Sequence, residues 1–277
     1  MSDTLPVLRL LCALLAMFAG ALLVPLGASF YADDGLWECY VISILFTLLI
    51  SAVLWFSTRK YQRELLPRHG VMLVSLVWML LPLFSTVPLM LAAHHIGRPM
   101  SFTHAYFEAV SGLTTTGSTV LVGLDTLPVS VNVWRTFLQW MGGMGILILA
   151  VAVLPLLGVG GSQLFKAEAA GPLKDTKLTP RMTGTAKGLW GVYALFSTLC
   201  GVAYWAAGMA PLDALMHMFS TVSLGGLSSH DQSFGYFQSP LLEAICIVFM
   251  LVASCNFALY FVSIRKGHWH GFWHDPE

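Results

Sequence analysis

Apolar residues in this chain run in long, nearly unbroken stretches and not at the spacing of a one-faced helix or strand. Six stretches stand out: roughly Val7–Ala28, Trp37–Ser57, Gly70–Ala93, Trp134–Leu157, Thr185–Gly208 and Pro240–Ile264. A helix of about 20 apolar residues crosses the hydrocarbon of a bilayer, so each stretch predicts a spanning helix. The first lacks a clear small-x-small cleavage site and five more follow it, so it reads as a mature helix and not a signal peptide. Two connections break the pattern. Ser101–Pro128 and Met209–Ser239 each open with an apolar-patterned helix of about ten residues and then turn polar, rich in Ser, Thr and Gly. Ten residues are too few to span, so these segments predict re-entrant helices followed by extended strands. Pro211 suits the first turn of the second short helix and Asp213 the positive end of its dipole.

Composition agrees. Of 277 residues, 57% are hydrophobic and only 10% charged, and the mean hydropathy is +0.75. Soluble domains carry about 25% charged residues, so a water-facing globule, a disordered chain and a nucleic-acid partner are all excluded. Lys+Arg and Asp+Glu balance at 14 each, and their placement carries the information. Arg9, Arg59, Lys60, Arg63, Arg68, Lys166, Lys174, Lys177, Arg181, Lys187, Arg265 and Lys266 fall on one side of the predicted spans; Arg98 and Arg135 fall on the other. The positive-inside rule then puts both termini in the cytoplasm. The opposite side holds Asp33, Asp34, Glu38, Glu108, Asp125, Asp213 and Asp231, either a cation-attracting mouth or plain loop solubility. Cys12, Cys39, Cys200, Cys246 and Cys255 lie in or beside apolar runs without CxxC spacing and read as small core residues.

The two polar segments also match each other. With Gly117 laid on Gly225, an offset of 108, Thr114–Gly117 covers Val222–Gly225 and the flanking spans pair as well. The unit is span, short helix, polar strand, span, present twice in one orientation. A strand without carboxylates can still bind a bare cation by turning successive backbone carbonyls inward. Glycine permits the required backbone angles, and the C-terminal end of a short helix aimed at the pore favours positive charge.

The motifs FEAVSGLTTTGSTV (Phe107–Val120), the long run Trp140–Arg181 and FSTVSLGGLSSHDQSFGYF (Phe219–Phe237) resemble the Trk/Ktr/HKT superfamily of potassium transporters, most closely its bacterial Trk uptake branch. The resemblance covers essentially the whole chain. It implies an all-α integral membrane protein with about six transmembrane helices plus two re-entrant pore helices and extended filter strands. It divides the chain into an N-terminal helix pair (1–60), a first membrane-pore-membrane repeat (67–160), a cytoplasmic connection (161–183), a second repeat (184–266) and a tail (267–277). The implied filter residues are Thr114, Thr115, Thr116 and Gly117 in the first strand and Val222, Ser223, Leu224 and Gly225 in the second. Potassium would be held by the carbonyls of Thr115, Thr116, Ser223 and Leu224, with no cofactor. Leu224 stands where the family often has Thr.

Members of the family place four such repeats around one pore, and two are present here. A closed filter therefore calls for a second copy in a homodimer, a separately encoded half, or the rest of a longer parent, with a fragment or truncated product the favoured expectation. The resemblance further implies the cytoplasmic nucleotide-binding regulator TrkA as a partner, besides the bilayer and potassium. It leaves open a channel or an H+ or Na+ symporter. The competing expectation is a non-conducting subunit or remnant that only packs with other membrane proteins.

Other features are read more plainly. Gly142, Gly143, Gly145, Gly158, Gly160, Gly161, Gly184, Gly188 and Gly191 allow close helix approach, with gating flexibility as the runner-up. Ser228, Ser229 and His230 do not make a hydrolase, because sequence neighbours seldom present the geometry. His268, His270 and His274 read as a solvated tail and not a metal site. Glu108, costly within a membrane helix, is expected to find a structural partner, the backbone amides of a neighbouring strand among the candidates.

Overall fold

The computed structural model describes residues 5–59, 67–153 and 182–255, together with 257, 260 and 263. Among these the regular structure is helical: α1 Leu5–Ala21, α2 Leu23–Ala32, α3 Trp37–Thr58, α4 Pro67–His95, α5 Phe102–Leu113, α6 Val129–Val153, α7 Met182–Ala206, α8 Pro211–Val222 and α9 Pro240–Ser254. Two short 3-10 turns, Leu124–Thr126 and Ser233–Phe237, lie after α5 and α8.

Among the described residues four segments are long and apolar enough to cross a membrane: Val7–Ala32, Trp37–Thr58, Met72–His95 and Gly188–Ala206. The expected fourth and sixth spans correspond to α6 and α9, whose predicted ends at Leu157 and Ile264 lie outside the described residues. So do most of the 161–183 connection, Gly158, Gly160, Gly161, Arg265, Lys266 and the tail histidines. The first span differs from expectation. It reaches Ala32 and breaks at Leu22. Pro25 has no N–H to give the carbonyl of Ala21, and that missing hydrogen bond bends the helix there.

The exterior is apolar and polar groups turn inward. Leu45, Leu49 and Phe56 of α3, Val202 and Trp205 of α7, and Ile247, Val248 and Leu251 of α9 are all exposed, an area too large for a water-facing surface. Ser43 and Thr47 satisfy their hydroxyls on carbonyls four residues back, and Ser51 donates to the carbonyl of Cys12, tying α3 to α1. Four of the cysteines are buried as expected, whereas Cys255 is exposed.

Helix α6 is the centre of the bundle, packed by α2, α5, α7 and α8. Trp134 and Leu138 on it are fully buried, and Trp134 meets Phe18 edge-on at 5.8 Å. Roughly halfway along its 25 residues sit two adjacent glycines. A β-carbon on Gly142 would overlap the carbonyl of Leu113, the last residue of α5; one on Gly143 would lie 3.1 Å from the β-carbon of Ser223, just past α8. Here glycine serves close approach, the packing expected of it. The result seats the C-terminal ends of both short helices on adjacent residues of α6.

Candidate functional site: two strands at the tips of α5 and α8

The short helices start as their sequences suggest. Ser101 caps α5, its hydroxyl accepting from the His104 amide at 3.2 Å. Pro211 occupies the first turn of α8. Their ends are more telling. Thr115 N–H donates to the Gly112 carbonyl at 3.0 Å and Thr116 N–H to Ser111 at 2.9 Å. Leu224 N–H donates to Thr221 at 3.1 Å and Gly225 N–H to Ser220 at 2.9 Å. Both are Schellman endings. The left-handed position in each is filled by a side chain that resists it: Thr115 at φ 56° and Leu224 at φ 57°. Glycine ordinarily takes that place, and a β-branched residue there is a true outlier. Strain of this kind, about 1–3 kcal/mol per residue, persists where the surroundings enforce it and gathers at functional sites.

A second left-handed residue follows two positions later, Gly117 at φ 78° and Gly226 at φ 80°. The two units therefore superpose with an offset of 109, and the offset of 108 expected from the sequence is corrected. Thr114-Thr115-Thr116-Gly117 corresponds to Ser223-Leu224-Gly225-Gly226. Backbone conformation decides between the adjacent glycines: only Gly226 adopts the positive φ that Gly117 shows. Val222 is the last residue of α8, equivalent to Leu113. Gly225 is a glycine for another reason, since any β-carbon on it would overlap the side-chain amide of Gln139.

The strands then lie side by side. A β-carbon on Gly117 would strike the carbonyl of Gly225. Thr114 donates its hydroxyl to Val110 at 2.8 Å and sits 2.7 Å from the Thr116 hydroxyl. Ser223 donates to Ser220 at 3.2 Å. Thr114, Thr116 and Leu224 are exposed, while Val222, Ser223 and Gly225 are buried. Two helix C-termini, each with the partial negative charge of its last carbonyls, end within this polar patch. Among the described residues no cluster of three or more His, Cys, Asp or Glu side chains could hold a metal ion.

The first strand is propped from behind by charge. Glu108 on α5 accepts the Thr119 hydroxyl at 2.8 Å and the Val120 amide at 3.1 Å, the backbone partner the sequence suggested. It also pairs with Arg135 of α6, Nε to Oε1 at 2.7 Å, with both side chains fully buried. Arg135 reaches Thr119 at 3.0 Å, Asn132 at 3.0 Å and the Ser228 carbonyl at 3.4 Å. In the second unit His217 stands where Glu108 does and Ser228 where Thr119 does. Nε2 of His217 is 3.0 Å from the Ser228 hydroxyl, and its Nδ1 is 2.8 Å from the Asp213 carbonyl. Ser229 donates to Asp213 at 2.9 Å. These serines serve strand geometry.

Several acidic residues of this end accept hydrogen bonds within the fold. Asp34 takes the Ser130 amide at 3.0 Å. Asp231 takes the amides of Gly123 and Leu124 at 3.0 and 3.1 Å. His230 joins the two units, with Nδ1 2.5 Å from Asp125 and Nε2 3.3 Å from Asp213, and its ring stacks on Tyr236 at 3.6 Å. The hydrogen bond with His230 holds the Asp125 carboxyl below its ordinary value, and the Asp231 amide adds to that.

Arg135, Asn132, Gln139 and His217 were not singled out by sequence reasoning, beyond Arg135 as a stray basic residue. Asn132, Arg135 and Gln139 sit at i, i+3 and i+7, one face of a helix in an otherwise apolar span, and that spacing was the available signal.

A family model for a cation transport protein, TrkH, matches residues 38–272. The chain belongs to the TrkH family. It is 45% identical over 273 residues to the Trk system potassium uptake protein TrkH of Vibrio parahaemolyticus, covering 98% of this chain and 56% of that protein. It is 46% identical over 271 residues to TrkH of Halomonas elongata, with the same coverage. The crystal structure of the potassium transporter TrkH from Vibrio parahaemolyticus superposes with a TM-score of 0.83 at 41% identity, covering 98% of this chain and 54% of that one. The chain thus spans about half the length of the relatives it matches. TrkH-family proteins are membrane ion transporters and not enzymes.

Proposed function

We propose that this chain forms part of a potassium uptake pathway in the bacterial inner membrane, with both termini in the cytoplasm. Its six spans and two re-entrant helices supply two of four filter strands. Potassium sheds water onto backbone carbonyls, those of Thr115 and Thr116 in the first strand and, with the corrected register, Leu224 and Gly225 in the second. Thr114, Gly117, Ser223 and Gly226 complete the two strands; Val222 belongs to the helix. The observation that carries this reading is the pair of strained left-handed residues, Thr115 and Leu224, at matching helix ends. Leu224 costs a hydroxyl relative to threonine but retains the main-chain oxygen that matters. The rest of a longer parent, a separately encoded half or a second copy of the chain provides the remaining strands, and a TrkA-type regulator docks on the cytoplasmic side.

The test is potassium-limited growth of an uptake-deficient bacterium carrying this chain alone, or together with the C-terminal half of Vibrio parahaemolyticus TrkH. Growth in either case, with a Gly117→Ser variant that loses preference for potassium over sodium, is the expected result. No growth in both cases favours the second reading, a non-conducting membrane subunit. Unchanged preference in Gly117→Ser removes the filter assignment.

A further inference from the structure

The face of α6 formed by Asn132, Arg135 and Gln139 is buried, each side chain 3% exposed or less. It holds more than its own repeat. Gln139 Oε1 accepts the Leu227 amide at 3.1 Å. Arg135 Nη1 donates to the Ser228 carbonyl at 3.4 Å. Asn132 Nδ2 donates to the Ser229 carbonyl at 3.4 Å and to the Leu124 carbonyl at 3.0 Å. Three successive backbone groups of the second strand are thereby bound to three successive positions on one face of a helix from the first repeat. Glu108 and Thr119, held by the same Arg135, fix the first strand to that face.

We infer that Gln139 is a positioning residue that sets the height of the second strand against the first, and with it the ion preference of the pathway proposed above, on which this inference rests. Three facts single it out. Its amide lies directly behind Gly225 and forbids a β-carbon there. It grips the strand immediately beyond Gly226, the left-handed residue. Its Nε2 has no hydrogen-bond partner among the described residues despite complete burial. A buried amide that gives up half its hydrogen bonding is normally selected against. Here the other half of the amide holds the Leu227 N–H of the second strand.

The test compares Gln139→Met, which keeps the length and loses the acceptor, with Gln139→Glu, which keeps an acceptor oxygen. Both are expressed in the cell and pairing that support growth of the unaltered chain. Gln139→Met is expected to transport with its potassium-over-sodium preference reduced about tenfold, the scale of one buried hydrogen bond whose donor is left unpaired. Gln139→Glu is expected to retain most of that preference. If Gly117→Ser loses preference and Gln139→Met does not, this inference is overturned and the filter reading stands. If neither changes preference, the filter reading itself fails. Should Gln139→Met not accumulate in the membrane, Gly225→Ala alone and with Gln139→Ala decides: accumulation restored only in the double variant supports the contact, and its failure to return overturns it.

Discussion

The two short-helix units share a backbone and differ in what supports it. Each has a 12-residue helix, a Schellman ending on a non-glycine left-handed residue, and a glycine of positive φ two positions on. Behind the first stands an ion pair, Glu108–Arg135, buried on both sides. Behind the second stands a neutral pair, His217 and Ser228. The conformation therefore does not depend on one particular chemistry. What differs is the penalty for damage. A buried charge that loses its partner keeps its full desolvation cost, whereas a neutral group loses one hydrogen bond.

That contrast is open to attack in order of size. Arg135→Leu strands the Glu108 carboxylate and should destabilise the detergent-solubilised protein by about 3–5 kcal/mol. Adding Glu108→Gln should return only part of this, because Asn132 and the Ser228 carbonyl remain without their donor. A thermal-melt cycle over the four proteins measures the coupling; simple additivity would show that the pair does not act as one. His217→Leu should cost less, about 1–2 kcal/mol, and a loss equal to that of Arg135→Leu would erase the distinction. The smallest effect concerns the junction of the units. Asp125 is held below its ordinary value by His230, so its contribution is present above the usual carboxylate range and disappears as pH falls through the depressed value. Melting temperature against pH should therefore drop more steeply on the acid side for the unaltered protein than for Asp125→Asn.

The helical, membrane-crossing character of the chain was legible in the sequence because hydrocarbon imposes a length and excludes charge, and the two short helices because each turns polar before it could span. Pro25 stood in view, and its effect on α1 and α2 follows from its missing N–H. The register of the second strand was harder. Gly225 and Gly226 are adjacent, and letters alone do not say which takes the positive φ. Laying Ser111 on Ser220 would have given the right offset, since both accept the amide that closes the helix. The α6 grip was hidden for a different reason: Asn132, Arg135 and Gln139 each find a partner in the second strand 97, 93 and 88 residues away, a distance no local pattern encodes.

Gly142 and Gly143 lodge the tips of α5 and α8 on neighbouring residues of one helix. Consecutive residues differ by about 1.5 Å along the axis and about 100° around it. A single rod thus acts as a common gauge, levelling two loops while aiming them in separate directions. Sliding that rod would carry both loops together, so their relative heights would be kept, as they would not be for loops seated on separate helices.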